Sequence, residues 1–180
     1  MDLIVNSFLT KEKCKEIIEH CETTLELEDG KLARNNDTKT RKSKVAFTKL
    51  DGLGVIKYEI LKEIYNVHKI DGVNLDDDIV FQFTKYGAGD YYDWHTDSGN
   101  QPEAKRYLSV IILLNDDYDG GDLVLGSKGG DSLVPKITGN LIVFDSNRLH
   151  KVTPVISGTR YSLVTWLKLK KIDGYIKKLL

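Results

Sequence analysis

From Lys11 to Thr24 the apolar residues recur at helical spacing. Cys14, Ile17, Ile18 and Cys21 fall at i, i+3, i+4 and i+7, and Thr10 stands before them as an N-cap. The spacing predicts an amphipathic helix over residues 11–24. A second is predicted over 54–66, with Ile56, Ile60, Leu61 and Ile64 on one side. From Asp78 the period shortens to that of strands. "IVFQFTKY", "YLSVIILLN", "GDLVLGS", "SLVPKI", "NLIVFDS", "KVTPVIS" and "RYSLVTWLKLK" are short β-rich runs separated by glycine- and aspartate-containing turns. Many short strands at close spacing imply a sandwich, a jelly roll or a barrel. The two helices precede these strands and are expected to cover one sheet. The fold class is therefore α+β, in a single domain over 1–180 with a helical part at about 10–68 and a β core at about 78–168.

Between the helices, "DGKLARNNDTKTRKSKVAF" is polar and locally basic, and reads as a solvated loop, with a substrate-facing basic rim as the alternative. His20 lies off the first apolar stripe and reads as a surface residue; His68, just past the second helix, reads as structural. The tail "KLKKIDGYIKKLL" reads as a surface helix that folds back.

Composition narrows the class. The chain has 180 residues, 41% hydrophobic and 29% charged, with a net charge of −1. That balance gives no global pull toward nucleic acid or an anionic membrane, and neither partner is expected. The start of the chain lacks a basic segment ahead of its short apolar run, and no apolar stretch approaches the roughly 18 residues of a spanning helix. A cytoplasmic protein is the expectation; the pattern sets no oligomeric state. Cys14 and Cys21 read as reduced core thiols, too few for a zinc site.

The candidate chemistry starts in "YGAGDYYDWHTD", residues 86–97. In an extended segment His95 and Asp97 project to the same side. With 27 acidic residues in the chain a His-x-acid pair arises easily by chance, so this pair alone decides nothing. His150, placed after an apolar strand and a polar turn, changes that. Two histidines and one carboxylate are the ligand set of the facial triad, which binds Fe(II) and leaves three cis positions open. A closed zinc site would need a fourth ligand. Arg160 follows ten residues after His150, and Ser162 lies on the same strand face. A guanidinium beside a hydroxyl suits a buried carboxylate, and an inward arginine demands such a partner. Tyr86 offers a phenol to the same anion. Tyr92 is the candidate substrate-side aromatic, while Trp94, facing away from His95, reads as packing.

At these residues the chain resembles the Fe(II)- and 2-oxoglutarate-dependent dioxygenases, in particular their prolyl 4-hydroxylase-like branch. "VNSFLTKEKCKEII" is similar to that branch's N-terminal strand and helix, and "RKSKVAF" to its Arg-x-Ser segment beside the active site. "YGAGDYYDWHTD", "NDDYDGGDLVL" and "HKVTPVISGTRYSLVTW" are similar to its ligand, Gly-Gly-acid and closing segments. The resemblance implies a double-stranded β-helix (jelly-roll, cupin-like) core. It implies that His95, Asp97 and His150 hold Fe(II), that Arg160 pairs with 2-oxoglutarate, and that Tyr86 and Ser162 assist. Arg41 and Ser43 are implied on the substrate side, O2 as co-substrate and ascorbate as reductant.

The implied activity is hydroxylation of an unactivated C–H bond, a peptidyl proline first, with decarboxylation of 2-oxoglutarate to succinate. The polar loops 31–44 and 98–105 would close over such a peptide. A free amino acid or other small molecule, and a non-catalytic cupin-like binding module, are the alternatives. Where the collagen-type enzymes of the branch carry lysine, this chain has Arg160, as the bacterial hydroxylases do, so collagen-like substrates are not implied.

Overall fold

The computed structural model describes residues 3–30, 40–68, 79–98 and 106–168. The lysine-rich tail, residues 31–39 and residues 99–105 lie outside them. In chain order the elements are β1 (Leu3–Val5), α1 (Lys11–Thr24), β2 (Glu28–Asp29), β3 (Arg41–Lys42), β4 (Lys44–Thr48), α2 (Gly54–His68), β5 (Phe81–Tyr86), β6 (Tyr91–His95), β7 (Arg106–Leu113), β8 (Asp119–Gly120), β9 (Leu123–Leu125), β10 (Ser132–Leu133), β11 (Leu141–Asp145), β12 (His150–Val152), β13 (Val155–Ser157) and β14 (Arg160–Lys168).

Helix α1 begins where the sequence predicts. The Thr10 hydroxyl accepts from the Lys13 N–H at 3.3 Å, satisfying one of the helix's free donors. Cys14, Ile17 and Cys21 are buried on its inner face, and both thiols are free. That face, with Ile56 and Ile60 of α2, packs against one side of a large sheet, where it meets Phe81, Phe83, Val110, Ile112 and Leu163. Burying an isoleucine such as Ile17 contributes about 1.5–3 kcal/mol, so Ile17→Asp would undock the helix.

The large sheet runs β1-β11-β7-β14-β5-β4-β2 and faces a smaller one, β10-β9-β12-β6-β3; β13 and β8 form a two-stranded ribbon. All these pairings are antiparallel. From β5 onward the chain passes back and forth between the sheets: β5 and β7 lie in the large one, β6 in the small one, then β11, β12 and β14 alternate again. This winding is a double-stranded β-helix.

Period-two alternation divides the core. On β14, Leu163 and Leu167 face the helices, while Arg160, Ser162 and Val164 face the small sheet, where Tyr86, Ile111, Leu113, Phe144 and Val152 form a second cluster. A one-residue slip of β14 would turn Arg160 into the helix layer.

One expectation is corrected here. The basic segment after residue 39 is not a solvated loop: Arg41 and Lys42 form an edge strand of the small sheet, Ser43 crosses between sheets, and Lys44 opens β4 of the large sheet. Lys42 and Lys44 are exposed, but Arg41 and Ser43 are buried. The guanidinium tolerates burial because its Nε donates to Ser43 Oγ at 2.7 Å and its plane lies over the Tyr92 ring.

Candidate metal centre

His95 closes β6 and His150 opens β12, and the two stand opposite each other in the antiparallel ladder. Their rings come together at 4.1 Å between centroids. Asp97 lies two residues beyond the end of β6. The N–H groups of Asp97 and Ser98 both donate to the Ser146 carbonyl at 2.9 Å, which pins this segment to the turn between β11 and β12. Asp97 Oδ1 then lies 3.8 Å from His95 Nε2, and Oδ2 lies 3.4 Å from His150 Nε2. The three ligand atoms fall within 4.8 Å of one another.

The histidine tautomers follow from geometry. His95 Nδ1 is 2.8 Å from the Asp93 carbonyl, and His150 Nδ1 is 2.9 Å from the Arg148 carbonyl. A carbonyl only accepts, so each ring carries its proton on Nδ1 and turns the Nε2 lone pair toward Asp97. Burial, then the neighbouring His150, pulls the His95 pKa down to about 4, so its imidazole is neutral at pH 7. Burial alone would raise the Asp97 carboxyl. The adjacent imidazoles of His150 and His95 and the Ser109 hydroxyl outweigh it and hold the group below the usual carboxylate range. Ser109 donates to Asp97 Oδ2 at 2.7 Å and meets the Ser146 hydroxyl at 3.0 Å. Sequence reasoning identified neither serine.

An aromatic layer supports the histidines. Tyr92 stacks on His95 with centroids 3.4 Å apart and planes 10° from parallel, and Arg41 lies 4.6 Å over the Tyr92 ring. Phe144 meets His150 edge-on at 4.8 Å. Tyr92 is thus tied to the metal-side cluster, and burial pushes its phenol up to about 12. Trp94 turns the other way, as expected, and lies under Lys151 at 4.6 Å. On the other flank of Asp97, Arg106 stacks 3.6 Å over Trp166 and its Nη1 reaches the Asp97 carbonyl at 3.4 Å. The indole N–H of Trp166 and Nη2 of Arg41 are buried without a partner. Trp166 was legible only as the end of the closing segment.

Further along β14, Arg160 is 1% exposed and pairs across the ladder with Tyr86. Its Nη1 donates to Ser162 Oγ at 2.9 Å, and its guanidinium lies 5.2 Å from the Tyr86 ring centre. Its Nε is buried with no hydrogen-bond partner. A buried cation with an unmet donor calls for an anion. The fit of the two groups follows from these donors. Two imidazole lone pairs and one carboxylate, with both cysteines away in the helix layer, suit an octahedral ferrous ion better than a closed zinc site. The Arg160 donors suit a carboxylate.

Comparison with known proteins bears on this arrangement. Residues 81–168, which carry all three ligand residues and Arg160, match the family model described as the 2OG-Fe(II) oxygenase superfamily. Over those residues the chain is similar to the 2OG-Fe(II) oxygenase superfamily.

Among its relatives, a PKHD-type hydroxylase of Synechococcus sp. (strain CC9605) is 35% identical over 97 residues, 52% of this chain and 41% of the relative. A PKHD-type hydroxylase of Prochlorococcus marinus (strain NATL2A) is 25% identical over 181 residues, 93% of this chain and 78% of the relative. The chain thus spans less than half of the first of these relatives. A Trichoplax adhaerens prolyl hydroxylase, solved with a hypoxia inducible factor oxygen degradation domain peptide fragment, superposes with a TM-score of 0.73. It is 23% identical, covering 92% of this chain and 82% of that one, which is a likeness of fold. Among the described residues no helix is long and apolar enough to cross a membrane.

Proposed function

We propose that the protein is an Fe(II)- and 2-oxoglutarate-dependent dioxygenase that hydroxylates a peptidyl proline. The observation that carries the reading is the pairing of two features between the same two sheets: three ligand atoms within 4.8 Å, and a buried arginine with an unmet donor on β14 of the large sheet, its side chain facing the small one. In this reading His95, Asp97 and His150 hold Fe(II), Arg160 and Ser162 anchor 2-oxoglutarate, and Tyr86 walls the pocket between them. The metal and co-substrate, with O2, supply the oxidising equivalents that convert a C–H bond to an alcohol while 2-oxoglutarate becomes succinate.

The chain's own residues perform the rest. The Nδ1–H bonds to Asp93 and Arg148 fix the ring planes, so both Nε2 atoms stay aimed at one point. The Ser109 hydroxyl fixes Asp97. The apolar cluster around Ile111, Phe144 and Val152 excludes water from the space between metal and anchor.

A peptide substrate is supported by the match to the oxygenase family, by the PKHD-type hydroxylase relatives and by two unmet donors near the three ligand residues. Arg41, over the Tyr92 ring, and Trp166, beneath Arg106, each hold a buried N–H without a partner, which a peptide carbonyl would satisfy. The test is incubation of the Fe(II)-loaded protein with 2-oxoglutarate and a library of proline-bearing peptides, with and without ascorbate, followed by mass spectrometry. The reading expects a gain of one oxygen on proline with matching succinate. Oxygen gained by free amino acids and by no peptide would move the assignment to a small-molecule hydroxylase.

A further inference from the structure

We infer that Gly30 and Arg41 are positioning residues for the metal centre. The bare Gly30 leaves the space in which the Arg41 guanidinium lies over the Tyr92 ring, and that ring holds the plane of the His95 imidazole. The inference rests on the reading of His95, Asp97 and His150 as metal ligands. It gives Arg41 a role separate from the Nη2 donor that it offers to a peptide.

The hydrogen bond from Nδ1–H to the Asp93 carbonyl, at 2.8 Å, holds one atom of the His95 ring. Such a bond keeps most of its strength over roughly 30° of bend, so alone it does not fix the ring plane. A tilt would move Nε2 off the point it shares with Asp97 and His150. Tyr92, stacked with centroids 3.4 Å apart and planes 10° from parallel, resists that tilt by direct contact.

Tyr92 is held in turn. Arg41 pairs with it across the β3–β6 ladder, and the guanidinium carbon lies 4.6 Å from the ring centre, with Nε donating to Ser43 Oγ at 2.7 Å. Gly30, just past β2, abuts both of these side chains. A Cβ built there would lie 2.6 Å from Ser43 Oγ, 2.7 Å from Arg41 Nε and 3.0 Å from Arg41 Cζ. An ordinary contact needs roughly 3.5–4.0 Å. The φ of Gly30 lies outside the left-handed region, so the backbone does not require glycine there; the space does. Its N–H donates to the Ser43 carbonyl at 2.8 Å, which keeps the main chain from drawing back.

The column thus joins the two sheets, since β2 belongs to the large one and β3 and β6 to the small one. A side chain at residue 30 would displace the guanidinium or break its bond to Ser43, and the shift would pass through Tyr92 to His95. Shape, not charge, is the contribution of Arg41. A cation near a metal site opposes the metal, so a purely electrostatic Arg41 would weaken metal binding and its loss would tighten it. Lysine keeps the charge but has neither a planar group to lie over the ring nor an Nε–H placed to reach Ser43, so Arg41→Lys separates the two effects.

The experiment is Mn(II) titration of the metal-free protein, followed by electron paramagnetic resonance. It reads both the dissociation constant and the zero-field splitting, which responds to ligand geometry. Arg41→Lys and Gly30→Ala should each weaken Mn(II) binding, by up to about tenfold, the low end for groups that orient metal ligands, and should alter the splitting. Thermal melts of the metal-free variants are the folding control; should Gly30→Ala fail it, Arg41→Lys decides. In an Arg41→Ala background Gly30→Ala should have no further effect on Mn(II), because no guanidinium remains to be displaced. Equal losses from Gly30→Ala in both backgrounds would overturn the role of Gly30. Folded Arg41→Lys with wild-type affinity and splitting would overturn the column while the metal centre stands. If His95→Ala binds Mn(II) as tightly as wild type, the metal centre itself falls, and this inference with it.

Discussion

Replacing Ser109 with alanine deletes the hydroxyl that donates to Asp97 Oδ2 at 2.7 Å from a fully buried position. A hydrogen bond to a charged group contributes about 1.5–3 kcal/mol, which corresponds to roughly 10- to 150-fold in a binding constant. The main-chain brace from the Asp97 N–H to the Ser146 carbonyl survives the change, and the Ser146 hydroxyl stands 3.0 Å from the lost oxygen. Those remaining contacts put the expected effect on metal affinity near the lower end, about tenfold, within the range typical of partners that orient metal ligands. Protonation does not contribute at pH 7, because His150 and His95 still hold the Asp97 carboxyl far below that pH. The assay is Mn(II) titration followed by electron paramagnetic resonance, with a thermal melt of the metal-free variant as the folding control. A folded Ser109→Ala protein that binds Mn(II) within twofold of wild type would refute the reasoning that this hydroxyl orients the carboxylate.

Arg160→Ala deletes a carboxylate anchor and leaves the three metal-side residues in place. The concentration of 2-oxoglutarate needed for half-maximal succinate formation should rise at least tenfold while Mn(II) affinity stays unchanged; equal losses in both would mean that Arg160 serves the fold rather than the co-substrate. For pH, the His95 pKa is lowered from 6.5 to about 4 in the folded protein. Between those values the unfolded chain binds a proton that the folded one does not. Metal-free stability should therefore be full above about pH 6.5 and fall as pH drops toward 4, by on the order of 3 kcal/mol. Urea midpoints measured across this range should lose that share of the slope in His95→Asn, and an identical slope in the variant would count against a neutral, buried His95.

What the sequence made legible was whatever repeats or sits close in the chain. Helix α1 was readable because Thr10, Cys14, Ile17 and Cys21 obey one local period, and β14 because Arg160 and Ser162 share a strand parity. His95 and Asp97 are two residues apart, and their convergence follows from strand geometry. The missed parts are long-range. Ser109 on β7 and Ser146 in the turn after β11 come to Asp97 from distant parts of the chain, and nothing local distinguishes them from other inward serines. The burial of Arg41 was hidden for the opposite reason. Its surroundings are basic and polar, so composition pointed to solvent, whereas Ser43 and the Tyr92 ring, the latter on a different strand, make the buried position tenable.

The account depends most on His95, Asp97 and His150 sharing one metal ion. Anaerobic titration of Fe(II) into the metal-free protein with excess 2-oxoglutarate, read as visible charge-transfer absorption, tests this directly. A band that saturates at one Fe(II) per chain in wild type and disappears in His95→Ala, Asp97→Ala and His150→Ala is the predicted result. A band that survives at full intensity in any folded member of that set would contradict it.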